Sequence, residues 1–207
     1  MKKFKKLPIF LVIALIGFTT AKSQNLALVQ SAFETSYAYE SNGLYSKSIE
    51  TIKNVYDAKS YEMNLRLGWL SYKNGNLTES ATYYKTAIEI LPTSIEARLG
   101  YVLPESVLGN WDNVITQYLE ILKFDPKNST VNYRMGLIYY NKADFENSYK
   151  YLGIASALYP FDYDINLNYG WACLKLSKFD EAKTTLNRVL LISPKDAFAL
   201  DGLKQIK

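Results

Sequence analysis

The chain has 207 residues, with no histidine, one cysteine and a formal net charge of +4 at pH 7. The lack of histidine removes the commonest general base and the commonest metal ligand, and the ten glycines form no phosphate-binding loop. We therefore predict no enzyme activity, no catalytic residue, no metal site and no cofactor. The single cysteine, Cys173, excludes an intrachain disulfide, and we expect it to be a small buried apolar side chain.

The first 23 residues have the order of a secretory signal peptide. Four lysines within the first six residues precede an apolar stretch from Pro8 to Phe18, and small or polar residues follow as far as Ser23. We predict cleavage before Gln24. The apolar stretch is shorter than the roughly 20 residues that a spanning helix needs. The mature chain is therefore expected to be soluble, not inserted in a membrane, and periplasmic or otherwise extracytoplasmic.

Removal of this segment changes the charge of the chain. It holds five of the 24 lysine and arginine residues and none of the 20 acidic ones, which leaves 19 basic and 20 acidic residues in the mature chain. Domains that bind nucleic acid ordinarily carry a clustered excess of positive charge. We therefore expect no nucleic-acid partner.

The rest of the chain repeats with a period of 34 residues. Prolines recur at this spacing, at Pro92, Pro126, Pro160 and Pro194. They divide the chain into a shorter first unit, four full units and a C-terminal helix: Val29–Ser60, Tyr61–Ser94, Ile95–Asn128, Ser129–Asp162, Tyr163–Asp196 and Ala197–Lys207. A period of this length is typical of stacked helical hairpins, each of which buries its apolar face against its neighbours. We predict an all-α solenoid, with residues 24–207 as a single domain.

Within a unit, the recurring residue types predict how the two helices pack and turn. Small residues at positions 8 and 20, such as Gly68 and Ser80, would let the helices approach closely. Glycines where the first helix must reverse are expected to have left-handed backbone, at Gly43, Gly75 and Gly109. The unit Ile95–Asn128 differs because it has Gly100 at position 6 and Pro104 inside its first helix. We expect a looser or bent hairpin there.

This pattern resembles the tetratricopeptide repeat, whose first helix carries a Leu-Gly-x-x-Tyr element and whose unit ends in proline. The corresponding pairs here are Leu67-Gly68, Met135-Gly136 and Tyr169-Gly170. The resemblance implies a right-handed superhelix of antiparallel helix pairs, no enzyme activity, and a concave groove that binds proteins or peptides. It also implies a partner-binding set lining that groove: Phe33, Tyr37, Trp69, Tyr72, Leu103, Tyr133, Tyr140, Trp171 and Lys175.

Other roles for the residues near this set remain open. Aromatic residues at helical spacing also serve packing, and we expect the position-5 leucines to belong to the core, at Leu65, Leu99 and Leu167. Arginine recurs at position 6, as Arg66 and Arg134, where we favour surface ion pairs over contact with an acidic ligand. Family members that grip a terminal carboxylate have lysine at position 5, which is apolar here, so that clamp is not expected.

Three functional hypotheses follow. The first is a non-catalytic scaffold or adaptor of the cell envelope that binds another protein or peptide, an envelope component, in its aromatic groove. The alternative is a carbohydrate-binding or polysaccharide-export accessory, because stacked aromatic rings also suit sugar rings. The third is self-association through the terminal faces. The last helix weakens it, because polar residues are expected on its outer face, at Asp201, Lys204, Gln205 and Lys207.

Overall fold

The computed structural model describes residues 26–206, so the predicted signal peptide and its cleavage site lie outside the described residues. Over this range the secondary structure is entirely helical, without a strand, and the predicted all-α helical repeat fold is confirmed. The helices comprise residues 26–41 (α1), Tyr45–Lys53 (α2), Tyr61–Lys73 (α3), Leu77–Ile90 (α4), Ile95–Val107 (α5), Trp111–Phe124 (α6), Ser129–Asn141 (α7), Phe145–Leu158 (α8), Tyr163–Lys175 (α9), Phe179–Ile192 (α10) and Ala197–Lys204 (α11). None of the helices formed by residues 26–206 is long and apolar enough to cross a bilayer.

Polar caps set the start of the first helix in each repeat after α1. The capping residues lie 34 residues apart, at Ser60, Ser94, Asn128, Asp162 and Asp196. Each side-chain oxygen accepts a hydrogen bond from the backbone N–H three residues further along. A cap of this kind stabilises a helix by about 1 kcal/mol. The period of the sequence thus determines where the helices begin as well as where they end.

The small residues at position 8 permit close helix contact, as predicted. A methyl group on Gly136 would lie 2.4 Å from Leu152 Cγ, because the leucine packs directly on the glycine backbone. In the repeat that contains Gly68, the Ser80 hydroxyl donates a 2.7 Å hydrogen bond to the glycine carbonyl. In this repeat the small residue at position 20 therefore bonds across the hairpin as well as packing within it.

The turn after each first helix requires left-handed backbone. The prediction for the glycines is confirmed, with φ of +71° at Gly43, +81° at Gly75 and +77° at Gly109. In the last two full repeats the same position is occupied by Ala143 and Ser177, both with φ of +57°. A side chain makes this conformation costly, so these two turns carry backbone strain that the glycine turns avoid.

The chain divides into two compact units, one ending at Asn110 and the other beginning at Trp111. Among the described residues, the first unit holds α1–α5 and the second holds α6–α11. The division falls inside the unusual repeat Ile95–Asn128, between its two helices. The helix α5 itself continues past Pro104, which is buried, so the proline does not end it.

Each compact unit has a core of its own. In the first, Ile52, Leu67 and Leu70 are fully buried, and in the second Leu186 and Val189 pack with Ala199. Cys173 is buried as predicted, and burial raises the pKa of its thiol to about 12.

The last helix differs in part from its prediction. Asp201, Lys204 and Gln205 are exposed, as expected, whereas Lys207 lies outside the described residues. Phe198 is exposed as well, at 64%, and so is Leu200. The prediction of a polar outer surface on α11 is therefore only half right, because large apolar side chains share that surface.

Candidate functional site

A cavity of about 640 Å³ lies in the first compact unit, among α1, α3, α4 and α5. Its walls are mainly aromatic and aliphatic, formed by Phe33, Tyr37, Leu65, Trp69, Tyr84, Leu99 and Leu103. A concave site of this volume with apolar walls and a few polar groups is the usual form of a ligand-binding cleft. Four members of the predicted groove set share this cavity: Phe33, Tyr37, Trp69 and Leu103.

The repeat period brings these side chains together. The helices α1, α3 and α5 are the first helices of consecutive repeats, so residues at one position of the period come side by side. Position 5 supplies Phe33, Leu65 and Leu99, and position 9 supplies Tyr37, Trp69 and Leu103. The prediction that Leu65 and Leu99 belong to the core is wrong, because both are half-buried and line the cavity.

An ion pair with a buried arginine underlies one side of the cavity. The Arg66 guanidinium donates from Nη1 to Glu40, and from Nε and Nη2 to Ser36 Oγ at 3.1 and 2.9 Å. It also lies 3.9 Å from the centre of the Tyr37 ring. Trp69 Nε1 donates to the second carboxylate oxygen of Glu40 at 2.5 Å. The predicted ion pair of Arg66 therefore exists, but its guanidinium is buried and its Glu40 carboxylate is half-buried, so the pair is not at the surface.

The charge of Glu40 is maintained by these contacts. Burial by itself would raise the pKa of this carboxyl, but the hydrogen bonds from Trp69 and Arg66 and the nearby positive charges outweigh that effect. The net result is a pKa below the ordinary value for glutamate. Glu40 and Arg66 consequently form a neutralised pair that holds the indole of Trp69 in place at the cavity wall.

Tyr84 forms the back of the cavity and was not part of the predicted set. The side chain is only 3% exposed, and its ring lies between the backbones of Gly68 and Gly100. A methyl group on Gly100 would lie 2.1 Å from Tyr84 Cε1, which explains the glycine at position 6 of the unusual repeat. Burial raises the pKa of the phenol. Its hydroxyl makes no hydrogen bond to any residue in the described range 26–206.

The rim of the cavity is acidic, a feature that the sequence patterns did not single out. Glu62 and Glu96 both line the cavity and are exposed to solvent. The Tyr61 hydroxyl lies 2.7 Å from Ser94 Oγ and donates to Glu96 Oε2 at 3.4 Å. Negative charge therefore collects at the end of the cavity where α3 and α5 begin.

Tyr72 lies beside this group of residues. It is half-buried, and its ring centre is 6.1 Å from that of Trp69. The other four predicted residues belong to the second compact unit. There Tyr140 packs edge-on against Phe145 at 5.4 Å, and Lys175 Nζ lies 5.9 Å from the same ring.

The remaining two residues of the second unit are tied into its packing. The Tyr133 hydroxyl accepts a weak hydrogen bond from Asn168 at 3.5 Å, and burial raises the pKa of the tyrosine. Trp171 packs against the core formed around Leu186 and Val189. Leu167 packs against the same core but is half-buried, so it lies at the edge of the core that was predicted for it. Replacement of Trp171 would accordingly disturb the fold of this unit.

Comparison with known proteins agrees with this architecture. A family model for the tetratricopeptide repeat matches residues 32–95 and 133–197, and the stretch between the matches contains Pro104. A tetratricopeptide repeat protein from Parabacteroides merdae has a TM-score of 0.73 at 17% identity, over 87% of this chain and 72% of that chain. MamA from AMB-1 has a TM-score of 0.69 at 16% identity, over 87% of this chain and 97% of its own.

A further crystal structure of MamA gives a TM-score of 0.71 at 17% identity, over 82% of this chain and 94% of that one. At such identities the likeness concerns the fold alone. No curated protein matches the chain in sequence. Since the family matches span more than half of its residues, the chain belongs to the tetratricopeptide repeat family, whose helical hairpins form scaffolds for protein–protein interaction.

Proposed function

We propose that this chain is a non-catalytic adaptor of the cell envelope that binds a partner protein or peptide in the cavity of its first compact unit. The observation that carries the proposal is the cavity itself, in which residues 26–206 leave two rows of aromatic and aliphatic side chains uncovered. Apolar walls with aromatic anchors are the usual site of the residues that dominate binding energy. The basic, apolar and small-residue order of residues 1–23 supports a location outside the cytoplasm.

A site-specific crosslink tests the proposal directly. Tyr37 lines the cavity and is 56% exposed, so a photoreactive phenylalanine at this position would face a bound partner. Tyr159 provides a matched control, because it is also a tyrosine, is 52% exposed and lies outside the cavity. Both variants would be expressed in the native cell envelope, irradiated, and examined by mass spectrometry.

A second pair of variants links any captured protein to the cavity. Leu103→Arg places a charge inside the apolar wall, whereas Leu108→Arg places the same charge on a leucine that is already exposed. We expect one protein to be crosslinked from position 37, lost with Leu103→Arg and retained with Leu108→Arg. Equal capture from positions 37 and 159, or capture that is indifferent to Leu103→Arg, would contradict the proposal.

A carbohydrate ligand is the second candidate, supported by a smaller cavity in the second compact unit. This cavity of about 250 Å³ is lined by Tyr169, Asp180, Glu181, Thr184 and Thr185. The hydroxyls of Tyr149 and Tyr169 both donate to Glu181 Oε2 at 2.9 Å, so an aromatic ring lies next to ordered carboxylate and hydroxyl groups. Binding to a glycan array that is lost with Asp180→Asn would favour this function over the adaptor.

A further inference from the structure

We infer that the segment which enters the cavity of the first compact unit carries a large apolar side chain next to a lysine or arginine, and is not an acidic tail or a terminal carboxylate. The inference rests on the proposed function, since it concerns the partner of the same cavity. Three features of the cavity carry it: the state of its cation, the charge of its rim and an unpaired hydroxyl at its back.

The positive charge of the cavity wall is already neutralised. Among the residues that line the cavity, Arg66 carries the positive charge. It is buried, and its Nε, Nη1 and Nη2 atoms all donate hydrogen bonds. Glu40 supplies the opposite charge, and Tyr37 covers the guanidinium face. An incoming carboxylate would have to displace Glu40 from a site that also binds the indole of Trp69. An anionic ligand would therefore gain little binding free energy from contact with this wall.

The charges that remain available among the lining residues are negative; Lys73, whose Nζ lies 5.4 Å from the centre of the Trp69 ring, is outside the lining. Glu62 and Glu96 are both exposed at the rim, and their nearest polar contacts are hydroxyl groups, from Ser60 at 2.9 Å and Tyr61 at 3.4 Å. Neither of these contacts neutralises a carboxylate. An approaching lysine or arginine would meet two negative charges, and charge complementarity of this kind selects the partner and its orientation.

The back of the cavity offers a donor to a peptide. Tyr84 lines the cavity and is only 3% exposed, and its hydroxyl has no hydrogen-bond partner among residues 26–206. A ligand that reaches this depth would displace solvent from the hydroxyl, so it is expected to supply an acceptor. A backbone carbonyl beside an inserted apolar side chain meets that requirement while the side chain fills the apolar walls.

Selection from a random peptide library tests the inference without a known partner. Dodecapeptides displayed internally in a phage coat protein, so that no free carboxyl terminus is offered, would be selected on immobilised residues 24–207. The double variant Glu62→Gln/Glu96→Gln removes the rim charges. The matched control is Glu50→Gln/Glu89→Gln, which removes two exposed charges of the same unit that do not line the cavity. Thermal melting of all three proteins would establish that each is folded.

The expected result is enrichment of peptides with an aromatic or large aliphatic residue within about two residues of a lysine or arginine. A synthetic peptide from that pool should bind the rim variant about tenfold more weakly and the control variant unchanged, as loss of two partly exposed ion pairs implies. Its affinity should also fall with added salt.

Two other outcomes would overturn the inference in different ways. Enriched peptides that are acidic, or that bind the rim variant as well as the parent, would refute the partner chemistry while leaving a peptide-binding cavity. Enriched peptides whose binding is unaffected by Leu103→Arg, or no enrichment at all, would refute the cavity as a peptide site and with it the proposed function.

Discussion

Replacement of Gly100 by alanine should destabilise the first compact unit. The added methyl group would lie 2.1 Å from Tyr84 Cε1, and two other ring atoms would be within 2.6 Å. Carbon atoms in contact prefer about 3.5–4.0 Å, so the ring would have to move by more than 1 Å. It cannot move freely, because Gly68 lies against its other side, where a methyl group would be only 2.9 Å away.

The size of the effect follows from two opposing terms. Overpacking of a rigid core costs about 1–3 kcal/mol. We expect a cost at the upper end of this range, because the Tyr84 ring is crowded on both sides. Alanine gains back about 1 kcal/mol in helix propensity. We expect the free energy of unfolding to fall by about 2 kcal/mol, which lowers the midpoint in urea by roughly 1 M. Circular dichroism at 222 nm would follow the transition.

Gly153 in α8 provides the control for helix propensity alone. A methyl group there would be 3.3 Å from Tyr169 Cε2, a contact that small adjustments relieve. Gly153→Ala should therefore leave stability unchanged or raise it by up to about 1 kcal/mol. If Gly100→Ala were as stable as the parent, the argument that Tyr84 requires glycine at this position would be refuted.

Three further predictions concern turns, caps and the buried ion pair. Ala143→Gly should raise the free energy of unfolding by about 0.5–1 kcal/mol, because relief of the strain of left-handed backbone at this residue outweighs the greater chain entropy that glycine loses on folding. A lower urea midpoint would contradict this. Asp196 accepts a hydrogen bond from a backbone amide of the helix that it caps and another from a tyrosine. Together these hydrogen bonds hold the pKa of its carboxyl below the ordinary value. The resulting stabilisation is present above the unfolded pKa of about 3.9 and is lost as pH falls through the lower folded value. Asp196→Asn, which can still cap, should therefore show a melting temperature that varies less between about pH 2 and 5, and equal slopes would count against the assignment. Glu40→Gln leaves Arg66 buried without its counter-charge, so we expect it to lower the free energy of unfolding in urea by about 2 kcal/mol. Glu79→Gln breaks an exposed pair and should lower the same quantity by less than about 1 kcal/mol. A larger loss for Glu79→Gln than for Glu40→Gln would disprove this difference.

The sequence predicted the parts of this structure that depend on local position in the repeat. The prolines, the glycine turns and the small residues of each hairpin recur at fixed positions, and each reflects a constraint within one hairpin. The left-handed turns at Ala143 and Ser177 escaped notice because no glycine marks them. The series of capping residues was visible at the same period but becomes meaningful only once the side-chain hydrogen bonds are known.

The candidate site was predicted only in part, because several of its interactions join different repeats. Arg66 was visible as a recurring arginine, but its partner Glu40 lies one repeat earlier at an unrelated position of the period. Tyr84 was not part of the predicted set, and its contact with Gly100 crosses from one repeat to the next. A single sequence contains no signal for such pairs. The row at position 9 and Phe33 could therefore be predicted, while the position-5 leucines of the wall and the charge balance of the cavity could not.

The series of caps has a consequence for how this chain can change in length. Asn128 precedes α7 and Asp162 precedes α9, and both accept the same hydrogen bond from the helix that follows. Deletion of residues 129–162 would join Asn128 to Tyr163, and the new junction would still carry a competent cap for the next helix. Insertion or loss of one whole period therefore preserves every helix start, whereas a change of a few residues disrupts one. The architecture permits growth and shortening in steps of a hairpin, and the number of binding surfaces can vary without redesign of the junctions.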